Sequence, residues 1–248
     1  MDVRRFETVL HEYLERAPKL SGIGTMYEKT LHAVLKQTYA PAESHTEIKV
    51  GRYVADVFDG ERIYEIQTAS FRNLERKLDA FLPRYPVTVV YPMPHVRYLT
   101  WIDPDTGEAT ASHKGTKVGK PMDALQELWQ IMRFLGHPNL TIELVLLDLD
   151  EYRFLNGWSK NRKSGSSRAE RIPRSVAEVV TLHDREDYTS LLPDFEAPFT
   201  AKDLQKKYRL SSRQSYSAIH VLQSLDFLRE DGMRGRAVCY RVCDDPVR

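Results

Sequence analysis

The sequence predicts an α/β fold, and three observations carry that prediction. Segments with helical spacing alternate with short runs of period two. Two further runs, Val87–Tyr91 and Leu140–Leu149, are almost wholly apolar, as strands buried on both faces are. An Asp-Gly dipeptide, a strong short-range hairpin signal, joins two of the period-two runs. In order these give helix, hairpin, helix, strand, helix, strand, the pattern of a sheet covered by helices.

Met1–Arg16 places Val3, Phe6, Val9, Leu10, Tyr13 and Leu14 at helical spacing. Ser21–Gly24 interrupts it. Thr25 then caps a second helix, with Glu28 three residues on in a capping-box pattern and Leu31, Val34 and Leu35 in its buried stripe. Glu47–Phe58 and Glu61–Thr68 form the hairpin around Asp59-Gly60. Leu74–Leu82 returns to helical spacing. Tyr98–Ser112 reads as an inserted hairpin turning at Asp103–Gly107, and Met122–Leu135 as a helix ended by Gly136 and Pro138. The glycine-, serine- and cation-rich stretch Asn156–Arg171 is expected to be a surface loop. Asp184–Leu192 is a short helix and Pro193–Pro198 a boundary.

Composition narrows the function classes. The chain has 248 residues, 42% hydrophobic and 29% charged, enough for a core and short of any disorder signature. No run approaches the roughly 18 apolar residues of a membrane span. Charges at the start stand where a secretory signal would be apolar, so a cytoplasmic, membrane-free protein is expected. Cys239 and Cys243 are too few for a zinc site or a disulfide framework. The net charge is +1, yet two stretches are basic. Tyr152–Arg174 carries seven Lys/Arg against one acid, and Phe199–Cys243 nine against four. Two such stretches on a neutral chain point to a polyanionic partner.

The hairpin holds the residues with the clearest chemistry. A two-residue turn at Asp59-Gly60 pairs Phe58 with Glu61, Asp56 with Ile63 and Val54 with Glu65. Side chains alternate along a strand and cross-strand partners share a face, so Asp56, Glu65 and Gln67 project together. A slip of one residue would destroy the arrangement. Two carboxylates and a third polar group suit Mg²⁺ (or Mn²⁺), which prefers oxygen and keeps several waters. No Ser-His-Asp or Cys-His signature competes, and Gly22-Ile23-Gly24 lacks the Lys-Ser/Thr of a phosphate loop.

Asp56, Glu65 and Gln67, after a helix bearing Glu28 and before one starting near Phe71, resemble the PD-(D/E)XK nuclease superfamily over roughly Thr25–Tyr91. The resemblance implies a restriction-endonuclease-like mixed sheet flanked by helices, with an α-β-β-β-α-β core. It implies phosphodiester cleavage, with Asp56, Glu65 and Glu28 as metal ligands around Mg²⁺. Gln67 stands where the family has Lys, and the resemblance leaves Lys77 or Arg76 on the following helix to supply that charge.

Beyond Pro193 two capping-box helices, opened by Thr200 and Ser211, are joined by Arg209-Leu210 and followed by two strands around Asp231–Gly235. This segment resembles a winged-helix DNA-binding domain. Arg213, Gln214 and Ser217 are then expected to face the major groove, and Arg234 and Arg236 to lie near phosphate in the wing. Lys160, Arg162, Lys163 and Arg168 of the basic stretch 156–174 complete the expected nucleic-acid contacts. The expected division is a nuclease-like domain over 1–192 and a winged helix over 193–248. The expected function is Mg²⁺-dependent DNA cleavage of restriction or repair type; RNA as substrate and a homodimer both fit. The alternative is a non-catalytic DNA-binding regulator on a degenerate nuclease fold.

Overall fold

The computed structural model describes residues 1–16, 30–156 and 166–243. Glu28, Lys160, Arg162 and Lys163 lie outside the described residues. The chain divides into two compact units. The first comprises Met1–Thr68, Val89–Gly119 and Glu143–Val180; the second comprises Ala69–Thr88, Lys120–Ile142 and Thr181–Arg248.

The architecture is α/β with a mixed sheet of seven strands flanked by helices. Helices α1 (Val3–Arg16) and α2 (Thr30–Tyr39) precede strands β1 (Thr46–Val50), β2 (Tyr53–Phe58) and β3 (Ile63–Ile66). Helix α3 (Leu74–Phe81) then leads to β4 (Val87–Ile102) and the short β5 (His113–Lys114). After α4 (Leu125–Leu128) come two long strands, β6 (Leu140–Phe154) and β7 (Ser167–Leu182). The sheet runs β1-β2-β3-β4-β6-β7, with β5 paired to β4.

In the first unit the apolar spacing of α1 and α2 becomes a core. Phe6 and Leu10 join Leu31, Val34 and Leu35 against Ile66 and Val90. Val145, Leu147 and Leu149, alternate residues of β6, complete the cluster, as one face of a strand requires. Each such side chain contributes about 1.5–3 kcal/mol on burial. The turn at Asp103 forms as its composition suggests, with Oδ1 accepting from the amides of Asp105 (2.8 Å) and Thr106 (3.1 Å). Gly119 lies so close to β4 that an added Cβ would stand 2.0 Å from the carbonyl oxygen of Pro94.

In the second unit β8 (Phe199–Thr200), β9 (Leu228–Arg234) and β10 (Ala237–Val242) form a three-stranded sheet in the order β8-β10-β9. Helices α5 (Ala201–Tyr208) and α6 (Ser212–Ser224) precede the β9-β10 hairpin. Both begin with the capping boxes read from the sequence, Thr200 with Asp203 and Ser211 with Gln214. Arg209 takes a left-handed conformation (φ 54°) and ends α5, which makes the link to α6 short. Helix α6 buries Ala218, Ile219, Val221 and Leu222 and packs on α4 and on the 3₁₀ segment Trp129–Phe134.

Three expectations are corrected. The hairpin turn is not two residues long: Phe58 pairs with Ile63 and Val57 with Tyr64, leaving Asp59–Arg62 as a four-residue loop. Asp59 explains it, because its Oδ1 accepts from the amides of Glu61 (2.9 Å) and Arg62 (2.7 Å). Residues 167–171, expected in a loop, begin the 16-residue strand β7. The helix expected over Met122–Leu135 is only briefly α-helical; 3₁₀ segments flank α4, and Ile131 is non-helical (φ −120°, ψ 20°). Among the described residues no helix is long and apolar enough to cross a membrane.

Candidate functional site

The corrected register improves the placement of the two acids. Continuing the pairs Phe58–Ile63 and Val57–Tyr64 by one step sets Asp56 directly opposite Glu65. The shift from the expected register is two residues, so both side chains keep their common face. On the other side of β2, Thr46 pairs with Val57 and Ile48 with Ala55, so Glu47 falls opposite Asp56. Glu47, Asp56 and Glu65 thus form one row across β1, β2 and β3.

Each member of the row is held differently. Glu65 is fully buried. Asp56 accepts the amide of Ile66 through Oδ2 at 2.7 Å, and His32 Nε2 on α2 stands 3.6 Å from the same oxygen. Glu47 has a left-handed backbone (φ 55°), uncommon for a non-glycine residue, and its Oε1 accepts from Lys36 Nζ at 2.9 Å. Lys36 is itself buried, one helical turn after His32.

The donor set bears on the expected metal. Burying an ionised carboxylate costs several kcal/mol in an apolar medium unless it is paired or protonated, and Glu65 is the buried acid of the row. Mg²⁺ is commonly held by one or two carboxylates while keeping several waters, so Asp56 and Glu65 fit it without a third side chain. Among the described residues no group of three or more His, Cys, Asp or Glu is assembled for a metal ion.

The other expected residues are placed as follows. The amide of Gln67 donates to the carbonyl of Val90 at 2.9 Å, and its side chain is half-buried. Lys77 is half-buried on α3, in the second unit. Arg168 and Arg171 lie on β7; Arg168 pairs with Glu151 at 4.0 Å, while Arg171 is buried. Arg174, in the same stretch, forks onto Asp150 with two bonds of 2.8 Å and covers the Tyr98 ring. Arg171 is thus built into the protein, while Arg168 and Arg174 are paired on strand β7 with about 40% of their side chains exposed.

On α6, Arg213 is exposed, as expected. Ser217 is not available to a groove: it is 6% exposed. The reason is geometric, since Ser217 lies one turn before the buried Val221 and beside the buried Ala218, on the core side of the helix. Gln214 is drawn back to the helix terminus, its Oε1 accepting from Ser211 N and Oγ at 2.9 Å each. Arg234 donates to Asp203 Oδ2 and to the carbonyl of Pro198, both at 2.9 Å, and Arg236 is exposed in the β9-β10 turn.

Two residues of the row's surroundings, His32 and Lys36, escaped the sequence reading. A signal existed: His32 and Lys36 are spaced four apart, which stacks them on one face of α2.

A family model described as a domain of unknown function (DUF8091) matches residues 29–183. A protein of Treponema pallidum (strain Nichols), described as uncharacterized, is 28% identical over 234 residues, covering 88% of this chain and 87% of that protein. The shared region is longer than the family match and so includes sequence flanking it. No solved structure matches the chain.

Proposed function

The chain belongs to the family of the domain of unknown function DUF8091, and on the geometry of its hairpin we propose that it is a metal-dependent nuclease acting on DNA phosphodiester bonds. The observation that carries this reading is the direct opposition of Asp56 and the fully buried Glu65 on adjacent strands. The order α2-β1-β2-β3-α3-β4 gives it further support, being the α-β-β-β-α-β succession of the PD-(D/E)XK superfamily that the motif resembles.

Asp56 and Glu65 would hold Mg²⁺ or Mn²⁺, with Glu28 as a further ligand. Such an ion, when bound, supplies Lewis-acid charge to a phosphoryl oxygen and acidifies water. The protein's own contribution is positional. The amide of Ile66 fixes one oxygen of Asp56, and Lys36 neutralises Glu47 beside it. His32 stands against Asp56 where a ring nitrogen can take a proton from water in the site. Burial of Glu65 excludes competing solvent from its oxygens. The helix pair α5-α6 and its hairpin, read as a winged helix, would position the substrate.

The test is cleavage of supercoiled plasmid by the full chain with Mg²⁺ or Mn²⁺ against EDTA. Metal-dependent nicking that disappears in both Asp56→Asn and Glu65→Gln is the expected result. Nicking that persists in both purified variants refutes the assignment. DNA binding without cleavage under every metal condition would instead favour the non-catalytic regulator.

A further inference from the structure

A second cluster in the first unit is built around a buried acid the nuclease reading does not use. Glu151 on β6 is 2% exposed, and Arg153 Nη1 donates to its Oε1 at 2.7 Å. Ser166, 1% exposed, accepts from Arg153 Nε through its hydroxyl at 3.1 Å. Arg168 Nε lies 4.0 Å from the other Glu151 oxygen, with 43% of its side chain exposed. Arg171, 8% exposed, donates from Nη2 to the carbonyl of Thr68 at 2.9 Å. Its own amide donates to Glu170 Oε1 at 2.8 Å.

Among the described residues the charges of this cluster do not cancel. Arg153, Arg168 and Arg171 are three cations; Glu151 and Glu170 are two anions. Arg171 carries the excess in the least hydrated place. Burial first, and repulsion from Arg168 second, push its guanidinium down to about 10 against the attractions of Glu151, Tyr91 and Glu170. Holding a buried cation against a backbone carbonyl rather than a carboxylate costs stability that an incoming anion would return.

We propose that Arg168 and Arg171, braced by the Arg153–Glu151 pair and Ser166, form a binding site for a phosphoryl oxyanion. Guanidinium groups present forked donors that match tetrahedral oxyanions, and two of them suit an anion of more than one charge. Half-exposed Arg168 gives the anion its entry and buried Arg171 its anchor. Thr68 follows Gln67 directly on the chain that carries Glu65, so the site belongs with the strand end of the proposed nuclease hairpin. It stands on its own residues and does not require that reading to hold.

The experiment is titration calorimetry of the full chain with inorganic phosphate, in EDTA and at fixed ionic strength, so that neither metal nor cleavage enters. Phosphate is expected to bind, and Arg168→Gln and Arg171→Gln to weaken it by about tenfold or more, one charge-assisted bond each. Arg174→Gln, which breaks a separate pair with Asp150, should leave it unchanged. If Arg171→Gln fails to fold, Arg168→Gln alone decides, because that side chain is half-exposed. Unchanged affinity in Arg168→Gln, an equal loss in Arg174→Gln, or no phosphate binding overturns the proposal. Oligonucleotides with 5′-phosphate and 5′-hydroxyl ends identify the source: Arg168-dependent preference for the first assigns a terminal phosphate, and equal Arg168-dependent binding assigns backbone phosphodiesters.

Discussion

Single residues divide into those whose role follows from spacing and those whose role follows from packing. Asp56 and Glu65 belong to the first kind: alternation along strands put them on one face whichever even register the hairpin took. Asp56→Asn keeps an oxygen for the Ile66 amide, so it should cost at most about 1 kcal/mol of stability while removing cleavage, measured as melting temperature against nicking rate. A melting temperature that collapses with activity would mean the residue serves the hairpin alone. Gln67→Lys should be tolerated and raise metal-dependent cleavage, since the ladder bond of Gln67 to Val90 is made by its backbone. Complete loss of activity in that variant would show that the amide itself is needed. Ser217 belongs to the second kind. Its polarity suggested exposure, but the rotation of α6 is set by Val221 and Leu222, and a small hydroxyl was carried inside with them.

At the scale of elements, what the sequence states in local hydrogen bonds was legible and what it states in sheet context was not. Both capping boxes of the second unit formed where Thr200 and Ser211 announced them. Thr200→Ala should therefore destabilise the protein by about 1 kcal/mol, read as a lower denaturation midpoint. Its partner Asp203 has a lowered pKa, first from the Thr200 amide and also from the Thr200 hydroxyl and Arg234. A depressed carboxylate stabilises above its unfolded pKa and loses that contribution as pH falls through the folded value. Asp203→Asn should thus flatten the loss of stability on acidification below about pH 4. An identical acid slope in wild type and variant would contradict the cap. The hairpin loop is longer than the two residues Asp-Gly predicts, because the Asp59 carboxylate organises four. Strand β7 was invisible for another reason. It is the last strand in the sheet, so much of it faces solvent and carries charge, and Pro173 is tolerated there. The apolar run that betrayed β6 has no counterpart in it.

For the whole molecule, the decisive question is what the residues beyond Pro193 are attached to. A linker-separated domain would be removable, but α6 packs on α4 and on Trp129–Phe134 within the second unit. Leu125 and Leu128 of α4 are almost fully buried, as are Ile219, Val221 and Leu222 of α6. Arg185 Nε, from before the boundary, donates to the carbonyl of Leu225 at 2.8 Å, and Tyr188 nearby in sequence is buried. Cutting at Pro193 would strip this apolar surface, at about 1.5–3 kcal/mol for each large side chain returned to water. A domain has only about 5–15 kcal/mol of net stability to lose, so the truncated chain should aggregate or melt far below the full chain. A soluble 1–192 fragment with an unchanged melting temperature would show that the two parts fold independently. Because truncation confounds folding with binding, the DNA-binding reading of α6 is better tested by Arg213→Ala, an exposed change. If Arg213 reads a base, discrimination among sequences should fall by about 1–3 kcal/mol with little change in the salt slope. If it touches only phosphate, affinity should drop equally for all sequences and the salt slope by about 1. Binding that changes in neither way would remove the N-terminal end of α6 from any nucleic-acid interface.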